Sequence, residues 1–345
     1  MRLLIIGGSS FLGRATAEEA LRRGATVTTF NRGLSGPDVA GVEALRGDRA
    51  SDPDLAQLAD REFDAVVDTC GFVPEVVGRA VELLSSGPSG EAFYAFVSSM
   101  SATTTWPHAP TPDGAPGQDC PPDAGPDAGD YGVLKAGCER AVTQTLGDRA
   151  LVVRAGLILG PHENVGRLPW WLQRISRGGE VLAPGDPDTA MQLVDARDLA
   201  AFMLDCAERG TGGTVNATGP RGNATMRSWL QDCVAATGSD ATLTWVPDDL
   251  LLEHQVEVWT GLPLWMPPGR EADHVWSAET AAAERLGLRS RPVTETVADT
   301  WAWLRDEGPA AKPDRDYVAD HGIDPGEGGP DPGRPPRPRG VTADR

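Results

Sequence analysis

Tyr131 and Lys135 stand four residues apart in a chain that has only three tyrosines and two lysines. On a helix, positions i and i+4 share a face, so a phenol and an ammonium at this spacing project side by side. A phenol with an ordinary pKa of about 10 is a poor proton donor or base near neutrality, but an adjacent positive charge favours the phenolate. The pair is therefore a candidate general acid/base. Three tyrosines and two lysines scattered over 345 residues would give roughly 0.02 such pairs by chance, so coincidence is a weak account. The other lysine is Lys312, and arginine carries the positive charge almost everywhere else. A compact ammonium was kept where a planar guanidinium would not serve the same purpose.

Two other stretches carry chemistry. Gly7-Gly8-Ser9-Ser10-Phe11-Leu12-Gly13 lies between an apolar run, Arg2 to Ile6, and an amphipathic segment, Phe11 to Arg23. Strand, glycine turn and helix in that order make a phosphate cradle, in which small residues admit a pyrophosphate and a helix N-terminus offers unpaired N–H groups. Glycines also close such turns without binding anything. Further on, Val97-Ser98-Ser99-Met100-Ser101 is a hydroxyl cluster at a strand end. A serine there can donate to a substrate carbonyl, or it can simply bond nearby backbone as strand-ending serines do.

The elements that would position these groups alternate. Strands are expected at Ala25–Phe30, Val42–Arg46, Asp64–Asp68 and Ala92–Ser98, with helices near Asp54–Ala59 and over Pro74–Ser85. This pattern predicts an α/β fold, a Rossmann-type doubly wound parallel sheet. Ligands of such sheets sit beyond the carboxyl ends of the strands. That rule makes Asn31, Arg32, Thr69 and Cys70 cofactor-binding candidates. Asp48 either meets an adenine edge or caps the next turn. Dinucleotide folds read the adenosine ribose after the second strand, where an acid favours NAD and an arginine accepts a 2'-phosphate. Here the acid is absent and Arg32 is present, so NADP(H) is favoured over NAD(H). Residues 103–129 read as a long loop, a lid or pocket wall.

Taken together, the chain resembles an extended short-chain dehydrogenase/reductase of the NAD-dependent epimerase/dehydratase family. The resemblance rests on the glycine turn, the serine cluster, the Tyr131/Lys135 pair, Leu151-Val152-Val153-Arg154 with Gly160-Pro161, and Val194-Asp195-Ala196-Arg197-Asp198-Leu199-Ala200. It spans roughly residues 1 to 305. It implies that Tyr131 is the catalytic acid/base, that Lys135 holds the nicotinamide ribose and tunes Tyr131, and that Ser99 contacts the substrate oxygen, with Ser101 and Ser98 as fallbacks. It adds Arg154 to the cofactor side and makes Asp195 and Asp198 structural supports there. The family's middle glycine is Ser10 here, as in an atypical branch that includes chloroplast stem-loop RNA-binding proteins. The usual ribose acid is Asn31, and the proline after the sixth-strand arginine is Ala155. Dehydratases of the family place an acidic pair after the serine; Met100 and Ser101 stand there instead.

The implied reaction is NAD(P)-dependent oxidoreduction or epimerisation of a small carbonyl, hydroxyl or sugar-nucleotide substrate. The alternative is a non-catalytic nucleotide-binding relative, redox-sensing or RNA-binding. A net charge of -19 counts against RNA, other nucleic acid and anionic membrane as partners. Five cysteines with no CxxC pair suit reduced thiols and the cytoplasm. The N-terminus lacks the pattern of a signal peptide, and no apolar stretch approaches the roughly 20 residues of a membrane span. The histidines show no metal-ligand spacing, so no metal is expected. A homodimer is left open. Residues 1–165, with 190–216 returning to them, are expected to form the dinucleotide-binding core. Residues 166–305 are expected to be mainly substrate-binding, and 306–345 a disordered tail. Trp170, Trp171 and the Leu262–Pro267 segment are read as core sooner than pocket lining. His162, Glu163 and Asn164, after the glycine-proline turn, are candidates to shape the site, although a lone loop histidine such as His162 is commonly just solvated.

Overall fold

The computed structural model describes residues 1–269, 273–308 and 321–322. Its first part runs β1 (Arg2–Ile6), α1 (Phe11–Arg22), β2 (Thr26–Asn31), β3 (Glu43–Arg46), α2 (Asp52–Leu55), β4 (Ala65–Asp68), α3 (Pro74–Ser86), β5 (Phe93–Ser99), α4 (Tyr131–Leu146) and β6 (Ala150–Ala155). The chain continues with β7 (Leu157–Leu159), α5 (Arg167–Ser176), β8 (Glu180–Pro184), β9 (Ala190–Met191), β10 (Leu193–Asp195), α6 (Ala196–Arg209) and β11 (Gly213–Ala217). It closes with β12 (Ala224–Thr225), α7 (Met226–Thr237), β13 (Thr242–Val246), α8 (Asp248–Glu253), α9 (Ala281–Arg285) and α10 (Val293–Glu307).

The main sheet has seven strands in the order β11-β6-β5-β4-β1-β2-β3, all pairing in parallel. From β1 the chain first steps to β2 on one side, then returns to β4 on the other. The crevice between β1 and β4 is thus the switch point, where a doubly wound sheet opens to a ligand. Both faces are covered, which is why β1 reads as an unbroken apolar run. Leu3 and Ile5 pack on the side of α1 and α6, whereas Leu4 and Ile6 pack on the side of α3 and α4. Asn31 still pairs with Arg46, so the second strand runs one residue past its expected end at Phe30.

A separate apolar core gathers α5, α7, α10 and the β8–β13 pair around Trp171, Trp229 and Trp265, each at most 2% exposed. Trp171 and Trp265 are therefore core residues, while Trp170 is half-buried and meets Trp171 edge-on. The main sheet recovers the chain through β11, which pairs with β6. Asp195 and Asp198 tie α6 to α10: Asp195 caps α6 through the Arg197 N–H and accepts from Thr296, and Asp198 bonds Arg291. The long segment 103–129 closes on itself through a bridge between Thr103 and Gly117 and is joined to the later chain by another between Thr111 and Ala278. It is a wall fixed to the C-terminal core. No helix among the described residues is long and apolar enough to cross a membrane. The tail expected from residue 306 lies, apart from 306–308 and 321–322, outside the described residues.

Candidate active site

The glycine turn connects β1 to α1 at the switch point. Gly7 and Gly8 have φ of +111° and +98°, a region that a side chain disfavours. A Cβ on Gly7 would come within 2.4 Å of Thr69 Oγ1, and one on Gly13 within 2.6 Å of the Gly8 amide nitrogen. Gly13 thus lies on the backbone of Gly8, and Gly7 against the Thr69 side chain, with no room for a Cβ on either. Ser10 occupies the N-cap of α1 but makes no capping bond, and the first turn holds no acid. The helix start is left open to an anion. The Ser10 hydroxyl instead accepts from Asn164 Nδ2 at 2.8 Å. Ser9 and Leu12 are buried and Phe11 is half-buried at the positive φ of +41°. A turn closed so tightly, with a bare helix N-terminus, fits a dinucleotide pyrophosphate.

At the end of β2, Asn31 is fully engaged. Its Nδ2 donates to the Gly7 carbonyl at 3.1 Å, and its Oδ1 accepts from Gly33 N at 2.8 Å and from Arg46 at 3.0 Å. Arg46 is in turn ion-paired with Asp38. Arg32 is exposed and forms no hydrogen bond or ion pair with the other described residues. Asp48 serves the turn it stands in: its Oδ1 accepts from Ala50 N, and its own N–H bonds Asp54.

Beside it lies a cluster the sequence did not announce. Arg49 makes a bidentate pair with Asp68 at 2.7 and 2.8 Å, and the Tyr94 hydroxyl donates to the same carboxylate at 2.9 Å. The Asp68 side chain has no solvent exposure. Burial opposes its charge, but the Arg49 cation and the hydrogen bonds outweigh that and hold the carboxyl below its usual range. The only sequence signal was an aspartate closing the apolar run Ala65-Val66-Val67. Thr69 Oγ1 and Cys70 Sγ both bond the Ile6 carbonyl, at 3.1 and 3.4 Å, so these two line the β1–β4 crevice.

Tyr131 is the first residue of α4, after Asp130, whose carboxylate accepts from Val133 N at 2.9 Å as the N-cap. Tyr131 is half-buried, with its ring centroid 6.3 Å from that of Phe72. Lys135, one turn on, is 2% exposed. Its Nζ donates to the Gly71 and Val97 carbonyls at 2.8 and 2.6 Å and lies over the Phe96 and Phe72 rings at 4.5 and 5.1 Å. Burial lowers its pKa. The α4 start presses on the serine cluster because residue 132 is glycine: a Cβ there would sit 2.2 Å from the Ser101 carbonyl oxygen.

The three serines differ in what they hold. The Ser98 hydroxyl donates to buried Glu139 at 2.6 Å, whereas Ser99 Oγ is half-buried, donates to Ser101 Oγ and accepts from Ser101 N. Arg154 is 5% exposed, bonds Glu139 through Nε and Nη2, and donates from Nη1 to the Ala115 carbonyl at 2.6 Å. Its guanidinium thus joins the Ser98–Glu139 contact beneath the sheet edge.

After β7 the loop folds back over the glycine turn through Asn164. His162 takes a φ of +64° and packs on Trp303 at 4.9 Å; burial, reinforced by nearby Arg14, lowers its pKa. Glu163, 2% exposed, accepts from the N–H groups of Arg167 and Leu168 at 2.9 and 3.2 Å. Burial pushes its carboxyl up to about 7 in spite of those bonds and the neighbouring Arg167 charge. Arg167 also lies within electrostatic reach of Tyr131.

This layout has many solved counterparts. The chain has the fold of the UDP-sugar epimerases. WbmG of Bordetella bronchiseptica, solved with NAD and UDP, superposes with a TM-score of 0.65 at 17% identity, over 89% of this chain and 95% of that one. UDP-glucose 4-epimerase of Thermotoga maritima, solved with UDP-glucose, gives 0.65 at 16% identity, over 88% and 99%. A putative epimerase of Burkholderia cenocepacia gives 0.66 at 20% identity, over 88% and 98%. No family model matches the sequence, and no curated protein does. The epimerase-like fold brings the glycine turn, Thr69, Cys70, Ser99, Tyr131 and Lys135 to one edge of its sheet, and it carries Arg154 into a buried ion pair at the same edge.

Proposed function

We propose that this chain is an NAD(P)-dependent oxidoreductase or epimerase acting on a small carbonyl, hydroxyl or sugar-nucleotide substrate. The observation that carries the reading is the placement of Tyr131 and Lys135 on one turn of α4, at the same sheet edge as the glycine turn. The solved neighbours whose names mention NAD or UDP-glucose agree with it. Gly7 to Gly13 would hold the pyrophosphate, with the Ser10 hydroxyl, oriented by Asn164, adding a donor. Lys135 spends two of its three N–H groups on carbonyls of β5 and the β4 loop. That leaves the third for a ribose hydroxyl. A bound nicotinamide would supply hydride exchange with the substrate carbon. Tyr131 would pass a proton to or from the substrate oxygen, and Ser99 would donate to that oxygen while Ser101 accepts from or donates to Ser99. Arg154 and Glu139 hold the strand that carries the serines. Because no acid ends β2 and Arg32 stands unpaired beside it, NADP(H) is the favoured form.

The test is Tyr131→Phe, assayed by nicotinamide absorbance against a panel of UDP-sugars and hydroxy- and keto-compounds. Turnover should be lost while cofactor affinity stays within about twofold, because the phenol acts on the substrate oxygen alone. A Phe variant that turns over at the wild-type rate would remove Tyr131 from the mechanism.

A further inference from the structure

Arg167 stands out in this acidic chain. It opens α5, its Nε is shut off from solvent, and that atom has no hydrogen-bond partner. The guanidinium forms no ion pair within 4 Å with another described residue. The residue as a whole is half-buried, and a cation so placed without such a partner is costly unless something else supplies one. Glu163 is the acid whose charge bears on it, but both Glu163 oxygens face backbone N–H groups at the start of α5. With its carboxyl near 7, Glu163 offsets only part of the arginine charge at neutral pH. On another side the charge of Arg167 is felt at Tyr131. The loop that carries Glu163 and leads into Arg167 is fastened to the glycine turn by the Asn164–Ser10 bond, so the start of α5 is tied to the cofactor side.

We propose that Arg167 recognises an oxyanion on the substrate, a carboxylate or phosphate group borne close to the hydroxyl or carbonyl carbon beside Tyr131. This rests on the reading of Tyr131 as the acid/base. A planar guanidinium presents parallel N–H donors that match two oxygens of such a group. Its reach to Tyr131 puts the anion on the reacting part of the substrate. The preferred substrates are then hydroxy or keto acids, uronic-type sugars or their phosphorylated equivalents, and neutral sugars are disfavoured.

The full-length protein, with and without NADPH, is titrated calorimetrically with inorganic phosphate and with malonate. Wild type should bind at least one of the two. Arg167→Gln should weaken that binding about tenfold or more, because charge-assisted hydrogen bonds are lost. Arg167→Lys should weaken it less, since it keeps the charge and loses the fork. Circular dichroism checks that each variant folds. Should the Gln variant not fold, the Lys variant decides, and unchanged affinity in it overturns the proposal. Equal affinity in wild type and Arg167→Gln, or no binding of either anion by wild type, also overturns it. Phosphate preference identifies a phosphoryl group and malonate preference a carboxylate. NADPH affinity is read in the same samples. Arg167-dependent anion binding without NADPH binding would sink the proposed oxidoreductase reading and leave the anion site standing.

Discussion

Glu163→Gln isolates a buried carboxyl whose protonation is linked to folding. The group is 2% exposed, and burial raises its pKa from an ordinary 4.5 to about 7. A carboxyl raised on folding prefers its proton in the native state. Its contribution is therefore fully favourable below the unfolded value and is lost as pH climbs through the folded one. The window runs from about 4.5 to about 7. At about 1.36 kcal/mol per pH unit the full swing is about 3 kcal/mol, most of which falls between about pH 5 and about pH 8.5. The amide cannot ionise, so the variant lacks this swing. It does lose one acceptor for the α5 N–H groups, which lowers stability by a similar amount at every pH. His162, whose pKa burial lowers, works in the opposite direction but is present in both proteins. Urea denaturation across that range should show the variant gaining on wild type by about 2–3 kcal/mol as pH rises. A stability difference that stays flat with pH would mean that Glu163 titrates as an ordinary carboxyl and that the burial argument is wrong.

Gly13→Ala places a Cβ 2.6 Å from the Gly8 amide nitrogen, so the turn must open; cofactor affinity by calorimetry should fall about tenfold or more with the fold kept, and an unchanged dissociation constant would show that the turn does not hold phosphate. Arg49→Met leaves Asp68 buried without its cation and should lower stability by about 3–5 kcal/mol; adding Asp68→Asn should recover part of that loss in urea denaturation, and a double variant no better than the single one would remove the ion pair as the cause. Arg32→Gln should lower NADPH affinity by about tenfold while leaving NADH affinity alone, as the loss of a charge-assisted contact to a 2'-phosphate requires; equal effects on both cofactors would withdraw the preference for NADP(H).

Local patterns announced much of the first half of the chain. Arg2 to Ile6 is apolar without alternation because both its faces are covered, and Gly7 and Gly8 after it take a positive φ that a side chain disfavours. Tyr131 and Lys135 were found together because helical spacing alone puts them on one face. Beyond residue 160 the alternation of strand and helix was legible only from Val194 to Ala207, where β10 ends and α6 begins. Those strands are short and pair across long separations, as β8 does with β13.

The sequence by itself determined the parallel sheet, the glycine turn, the candidate acid/base pair and the absence of an acid after β2, all matters of neighbours along the chain. Tertiary structure alone decided what the charged groups face. Arg49 meets Asp68 nineteen residues on, and Lys135 is drawn to carbonyls 64 and 38 residues away. Arg154 is paired with Glu139, and Asn164 reaches back 154 residues to Ser10. Desolvation and pairing set the charge state of a group, and both depend on which distant residues the fold brings against it. No local pattern in the sequence records that, which is why Glu163 and Arg167 acquired their meaning only once the fold had closed over the start of α5.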